Sequence, residues 1–224
     1  MIEVNDLAFR MMARAHGIDL CFTGMVNAHM WVSDIQMHQK LFETCEEDRP
    51  LIIQLAGSDL KELEEVAKDL EPYCDGIDLN IGCTQHIARR GHFGYFISNT
   101  PEKRESLLQL IRQLHSQLNK PLSVKIRLLP EEPNDDNFTQ TVNFARGLKE
   151  AGVAFISVHG RYQDQNKSGD VNVAAIKAVV DAVDIPLLAN GGIVDKQSAD
   201  ALLEQSTADG IMVGQGFLIN PFMF

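Results

Sequence analysis

No apolar run in the sequence approaches the roughly 18 residues that a membrane-spanning helix needs. The first ten residues, MIEVNDLAFR, contain no basic stretch followed by an apolar segment, so a secretory signal is not expected there. Cysteine is sparse: the four thiols, Cys21, Cys45, Cys74 and Cys83, show no CxxC spacing. That argues against a zinc site and for free thiols in a reducing compartment, with the cytoplasm as the expected location. Positive charge is short as well. A formal net charge of −11 disfavours non-specific nucleic-acid binding, which needs lysine and arginine clustered on phosphates. Arg89 and Arg90 are the clearest local exception. No linker or shift of composition divides the 224 residues, so one domain is expected over 1–224.

What the chain does contain is a repeating texture. Seven short apolar runs recur: 18–26 (IDLCFTGMV), 51–55 (LIIQL), 76–81 (GIDLNI), 122–128 (LSVKIRL), 155–158 (FISV), 185–189 (IPLLA) and 210–213 (GIMV). Each is nearly continuous in apolar residues, as strands buried on both faces are. Amphipathic segments of helical length lie between them, among them SDLKELEEVAKDLEPY, TPEKRESLLQLIRQLHSQL and VNVAAIKAVVDAV. Ser58 and Thr100 read as helix N-caps. PEEPNDDN (130–137) reads as a loop. Alternating strands and helices imply a parallel sheet. A barrel is favoured over an open sheet because chemically capable residues sit at almost every strand's C-terminal end.

Those ends carry Gln54, Asn80, Cys83, Lys125, Arg127, His159, Arg161, the glycines of ANGG (Asn190 to Gly192) and those of GQG (Gly214 to Gly216). The two glycine-rich ends follow the last two strands, where barrels often hold a phosphate on backbone N–H groups; tight turns are the plainer reading. Lys125 and Arg127 point to one side of their strand, as do Asp78 and Asn80. A lysine inside an apolar strand calls for an anionic partner within the barrel or an ion pair, for instance with Asp78. His159 is either a satisfied core histidine or a ligand contact. Cys83 is either a small buried hydrophobe or a reactive thiol, its setting made electropositive by His86 and the two arginines. Met25, Trp31, Phe93, Tyr95 and Phe96 read as packing, and the other cysteines as structural.

The segments IQLAGS, DLNIGC followed by ARRGHFG, VKIRL, VHGR, ANGGI and VGQGFLINPFMF come in the order and approximate spacing of the tRNA-dihydrouridine synthases, which the chain resembles over essentially its whole length. RRGHFGYF most resembles the eukaryotic subgroup that modifies D-loop positions 16/17, and MIEVNDLAFR matches the family's M-x-x-V-x-D-x-A-F-R opening. The resemblance implies an α/β fold, a TIM-type (β/α)8 barrel, here without the first strand, expected before Met1, and without the C-terminal helical domain that grips tRNA. It implies FMN as cofactor, NADPH (or NADH) as reductant and tRNA as partner, with no metal and a monomer as the expected state.

The resemblance also implies roles. Cys83 would protonate uracil C5 while flavin N5 delivers hydride to C6. Asn80 and Arg127 would hold the uracil edge, with Arg89 and Arg90 as further substrate contacts. Lys125 would lie against flavin N1/O2 and Gln54 at its pyrimidine edge. His159, Asn190, Gly191, Gly192, Gly214 and Gln215 would hold the ribityl phosphate, and Met1 and Ile2 would contact the isoalloxazine. Three positions depart from the pattern. Thr84 replaces the proline of GCP, which implies a looser thiol loop; Gln215 replaces an arginine common in bacterial members; Gly24 stands where an acid is frequent. The alternatives are a flavin barrel acting on a free pyrimidine, in the manner of a dihydroorotate dehydrogenase, a flavin-free phosphate-binding barrel, and an inactive truncated remnant.

Overall fold

A computed structural model describes residues 5–34, 42–165 and 168–224. The strands are β1 (Cys21–Phe22), β2 (Val26–Asn27), β3 (Leu51–Ala56), β4 (Gly76–Asn80), β5 (Leu122–Arg127), β6 (Phe155–His159), β7 (Leu187–Asn190) and β8 (Gly210–Met212). All pair in parallel, in the order β1-β3-β4-β5-β6-β7-β8, with β2 also on β3. β1 and β2 are therefore two pieces of one strand, and among the described residues the sheet is seven positions wide, one for each apolar run. Thr23 makes the break. Its hydroxyl, instead of a backbone carbonyl, accepts from the Gln54 N–H at 3.0 Å.

The helices are α1 (Leu7–Ala15), α2 (Ala28–Ser33), α3 (Leu60–Leu70), α4 (His86–Arg90), α5 (Pro101–Gln117), α6 (Thr139–Glu150), α7 (Val173–Ala182), α8 (Lys196–Ser206) and α9 (Gln215–Ile219). Thr100 caps α5 as expected, accepting from the Lys103 N–H. The cap of α3 is not Ser58 but its neighbour Asp59, whose Oδ1 accepts from the N–H groups of Lys61 and Glu62 at 2.9 and 3.1 Å. A carboxylate at that place also favours the positive end of the helix dipole. Among the described residues no helix is long and apolar enough to cross a membrane, and no cluster of three His, Cys, Asp or Glu could hold a metal ion.

The sheet curls. β1 and β6 are four strand positions apart, about 19 Å in a flat sheet. The rings of Phe22 on β1 and Phe155 on β6 nevertheless meet edge to face with centroids 6.3 Å apart. The result is a TIM-like half-barrel with helices outside and a polar interior. Outward positions are apolar and fully buried under the helices: Ile53 and Leu55, Ile77 and Leu79, Val124 and Ile126, Ile156 and Val158. The alternate positions carry Gln54, Asp78 and Asn80, Ser123, Lys125 and Arg127, Ser157 and His159. The strands thus alternate apolar and polar along their length, where the sequence alone reads as continuous apolar runs.

One buried ion cluster ties α1 to the segment before β3. Asp48 is wholly buried and accepts from Arg10 Nε at 2.8 Å, Arg14 Nη2 at 3.0 Å and the Thr44 hydroxyl at 3.2 Å. Arg14 Nη2 also donates to the Pro50 carbonyl, one residue before β3. Removing one partner of a buried pair leaves uncompensated charge, so Asp48→Ala is expected to cost roughly 3–5 kcal/mol. Asp200→Ala, which breaks an exposed pair with Lys196, is expected to cost under about 1 kcal/mol. Urea unfolding midpoints compare the two; similar midpoints would dismiss the cluster as an anchor.

Candidate active site at the strand ends

The thiol sits three residues past Asn80, the end of β4, and its loop is fixed from three directions. Asn80, the last residue of β4, turns its Oδ1 onto the N–H groups of Gly82 and Cys83 at 3.1 and 3.0 Å. Arg127, the last residue of β5, donates from Nε to the Gly82 carbonyl at 2.9 Å. The Cys83 carbonyl accepts from the Tyr95 N–H at 3.0 Å. These four hydrogen bonds constrain the loop that Thr84 leaves without a proline ring. Glycine is favoured at one place and required at another. A Cβ on Gly82 would lie 3.2 Å from the Ile126 carbonyl carbon. Gly94, at φ +65°, passes so close that a Cβ would meet the Cys83 carbonyl oxygen at 2.7 Å. The GHFGYF segment is thus a lid of backbone on Cys83. The half-buried thiol side packs against the small apolar group of Ala56, Ala88 and Phe93.

Beneath the loop, Asn80 Nδ2 donates to Gln54 Oε1 at 2.8 Å, and Gln54 Nε2 donates to Asp78 Oδ2 at 2.7 Å. Asp78 Oδ1 accepts from the Ser123 hydroxyl at 2.7 Å. The carboxyl is fully buried, and burial pushes its pKa up against the pull of these two hydrogen bonds and of Lys125.

The other half of the mouth is cationic. Lys125 Nζ donates to Asn190 Oδ1 at 2.9 Å, across from β5 to β7, and Asn190 Nδ2 donates to the Met212 carbonyl. The expected alternative, an ion pair between Lys125 and Asp78, does not form. Burial, reinforced by Arg127, lowers the Lys125 pKa to about 8. Burial, with Lys125, Arg127 and Arg161 around it, pushes the His159 pKa down to about 2. The imidazole is therefore neutral at ordinary pH, and its Nε2 can accept from Arg161 Nη1 at 3.2 Å, since a guanidinium only donates.

The glycine-rich ends of β7 and β8 meet here. Gly191 and Gly192 have φ of +114° and +72°, and a Cβ on Gly191 would lie 2.7 Å from His159 Cδ2. A Cβ on Gly216 would strike the Ile193 carbonyl, so the two turns press together. A cavity of about 390 Å³ opens at the same end, lined by Tyr95, Pro130, Tyr162 and Asp164 among others. Arg127 Nη1 donates to the Tyr162 carbonyl at its edge.

The structure thus brings Gln54, Asn80, Cys83, Lys125, Arg127, His159, Asn190, Gly191 and Gly192 to one mouth, with Gly214 in the adjoining turn. Arg89 and Arg90 lie apart from that network, exposed in the last turn of α4 just past the thiol loop. Gln215 is exposed at the start of α9. Met1 and Ile2 lie outside the described residues. Sequence reasoning gave no role to Ser123, Thr23 or the backbone of Tyr95. Ser123 was open to the period-two argument that paired Lys125 with Arg127; the other two act through contacts that no local pattern encodes.

The family model described as Dihydrouridine synthase (Dus) matches residues 1–224. The chain belongs to the dihydrouridine synthase family. It is 37% identical over 228 aligned residues to the tRNA-dihydrouridine(16/17) synthase NAD(P)(+)-like protein of Mus musculus, covering 100% of this chain and 46% of that protein. It is 32% identical to the tRNA-dihydrouridine(16/17) synthase of Schizosaccharomyces pombe, covering 100% of this chain and 55% of that one. An uncharacterised tRNA-dihydrouridine synthase-like protein of Caenorhabditis elegans is 34% identical, with 76% of its length covered. The chain spans about half the length of the mouse and yeast relatives it matches. Among solved structures, the Amycolatopsis orientalis BexX/CysO complex superposes with a TM-score of 0.59 at 16% identity, covering 97% of this chain and 80% of that one, which bears on the barrel alone.

The cationic half of the dihydrouridine synthase mouth has a pH signature. Lys125 titrates near 8 in the folded chain against 10.5 for an ordinary lysine, so its burial is penalised below pH 8 and the penalty fades as pH rises towards 10.5. Lys125→Met is expected to stabilise the chain relative to wild type at pH 7, by on the order of 2 kcal/mol, with the gap closing by pH 10. Paired urea titrations read it; a pH-independent gap would refute the depressed titration.

Proposed function

We propose that this chain is the catalytic barrel of an FMN-dependent oxidoreductase that reduces uridine to 5,6-dihydrouridine in tRNA, with NADPH or NADH as the source of electrons. The observation that carries the reading is the thiol loop. Cys83 is held by both its backbone N–H and its carbonyl at a mouth that it shares with Arg127 and Lys125, in a chain that the dihydrouridine synthase family matches throughout. The names of the mouse and yeast relatives specify NAD(P)(+) and tRNA positions 16/17, which supports the nucleotide and the D-loop as substrate class.

Three features fit FMN. Lys125 has no carboxylate within ion-pair distance among the described residues. Ser157 Oγ, on the strand position registered with Lys125, is buried without a hydrogen-bond partner. The Gly191 and Gly192 turn leaves no room for a side chain beside His159. Bound there, FMN would supply the two-electron reduction that saturates the uracil C5–C6 bond. Lys125 would place positive charge against the anionic edge of the cofactor, Gln54 would contact its pyrimidine edge, and Asn190, Gly191, Gly192, Gly214 and Gln215 would line its phosphate.

Cys83 would donate the proton that C5 requires. Its neighbours restrict how uracil can be held. Asn80 uses both lone pairs of Oδ1 on Gly82 and Cys83 and one of its two amide hydrogens on Gln54. It can still donate to a uracil carbonyl, but it cannot accept from uracil N3–H. Arg127, also a donor only, suits the other carbonyl. A uracil must leave the RNA stack to reach this loop, and Arg89 and Arg90 lie where they could contact the backbone that presents it.

An absorption spectrum followed by anaerobic NADPH tests the cofactor, and Cys83→Ala tests the thiol. The expected outcome is a yellow protein whose Cys83→Ala variant still bleaches with NADPH while forming dihydrouridine about 10²–10⁴-fold more slowly. A protein that takes up no FMN, or a fully active variant, would sink the reading. Turnover of dihydroorotate with tRNA ignored would favour the free-pyrimidine enzyme.

A further inference from the structure

Among the described residues Asp78 is the one fully buried carboxyl inside the curl, and the proposed chemistry gives it nothing to do. It touches neither the thiol nor the cationic half of the mouth by a hydrogen bond. Its two contacts, Ser123 Oγ and Gln54 Nε2, are both donors at 2.7 Å. Both Asp78 oxygens accept here, so Gln54 turns its NH₂ towards Asp78 and its oxygen away. That oxygen then requires a donor, and Asn80 supplies Nδ2 at 2.8 Å. Asn80 must accordingly aim Oδ1 in the opposite direction, where it accepts from Gly82 and Cys83 at 3.1 and 3.0 Å. The far end of this chain consists of backbone N–H groups, which only donate. An acceptor at one end and donors at the other leave each of the two amides a single orientation. With the Asn80 amide reversed, its NH₂ would face two N–H groups and the loop would lose both anchoring bonds.

We propose that Asp78 is a positioning residue for Cys83: through the Gln54 and Asn80 amides it fixes the backbone that carries the thiol. The proposal deepens the reading of Cys83 as proton donor and rests on it only for the activity consequence. The acceptor oxygen of Asp78 sets the direction of the relay. Asparagine at this place could present either its oxygen or its NH₂ to Gln54, so it fills the volume without imposing the order. Ser123 hangs on the other carboxylate oxygen and lies outside the relay, which makes it the control.

Hydrogen–deuterium exchange of the full chain tests the relay without any cofactor, reading the amides of Gly82 and Cys83 relative to those of Ile111 and Leu114 in α5. Taking the ratio removes any general loss of stability. Asp78→Ala and Gln54→Leu are each expected to raise that ratio about five-fold, the effect of one ordinary hydrogen bond, and together little more than either alone. Ser123→Ala is expected to leave it unchanged. Should Asp78→Ala fail to fold, Asp78→Asn decides, with a rise of about two- to three-fold expected. An unchanged ratio in the folded Asp78 variant, or an equal rise in Ser123→Ala, would overturn the proposal. In turnover, the Asp78 variant is expected to slow dihydrouridine formation about ten-fold more than it slows bleaching by NADPH. Wild-type protein that forms no dihydrouridine would fail the proton-donor reading, and the exchange ratio would still decide the relay.

Discussion

The inside of a curled parallel sheet is narrow, and polar groups placed there must satisfy one another. Most of the site in this chain follows from that constraint. Most inward positions near the C-terminal ends of β4 to β6 are polar, as are Gln54 on β3 and Asn190 on β7, and several bond across a strand boundary: Gln54 to Asp78, Asn80 to Gln54, Asp78 to Ser123, Lys125 to Asn190. The outward positions supply the apolar surface on which the helices pack. One period of two residues therefore builds the core on one side of the sheet and the chemistry on the other. A shift of one residue in any of these strands would exchange the two.

Much of this was legible in the sequence. Seven apolar runs correspond to seven strand positions, and most of the residues picked from their ends meet at one mouth, Gln215 being exposed beside it. The reading was least accurate where a local pattern had two close solutions. Ser58 and Asp59 are both good caps, and the extended backbone of Asp59 with its longer reach to two N–H groups decided for the aspartate. Continuous apolar runs concealed an alternation, because single polar residues such as Gln54 or Lys125 barely interrupt them. The ion cluster of Arg10, Arg14 and Asp48 was beyond reach, since its partners lie 34 to 38 residues apart and nothing local joins them. The choice of Asn190 over Asp78 as partner to Lys125 depends on curvature, which no single strand encodes.

The thiol loop shows how a missing residue type is replaced. A proline after Cys83 would restrict the backbone by its ring. Here hydrogen bonds from Asn80, Arg127 and Tyr95, with the close approach of Gly94, impose the restriction from outside. The same apolar neighbourhood of Ala56, Ala88 and Phe93 joins the loop to β3 and to α4, so the exposed arginines of α4 are carried on a short, well-anchored element.

Charge is distributed in opposite senses outside and inside. The chain as a whole carries −11, yet Lys125, Arg127 and Arg161 gather around the mouth. A polyanion approaching from a distance meets repulsion and feels the mouth only within about 10 Å at 0.1 M salt. Added salt therefore speeds its arrival and weakens its final contacts. Capture of a polyanion by such a mouth is therefore expected to peak at an intermediate ionic strength, unlike capture by a uniformly basic protein, which only falls as salt is added.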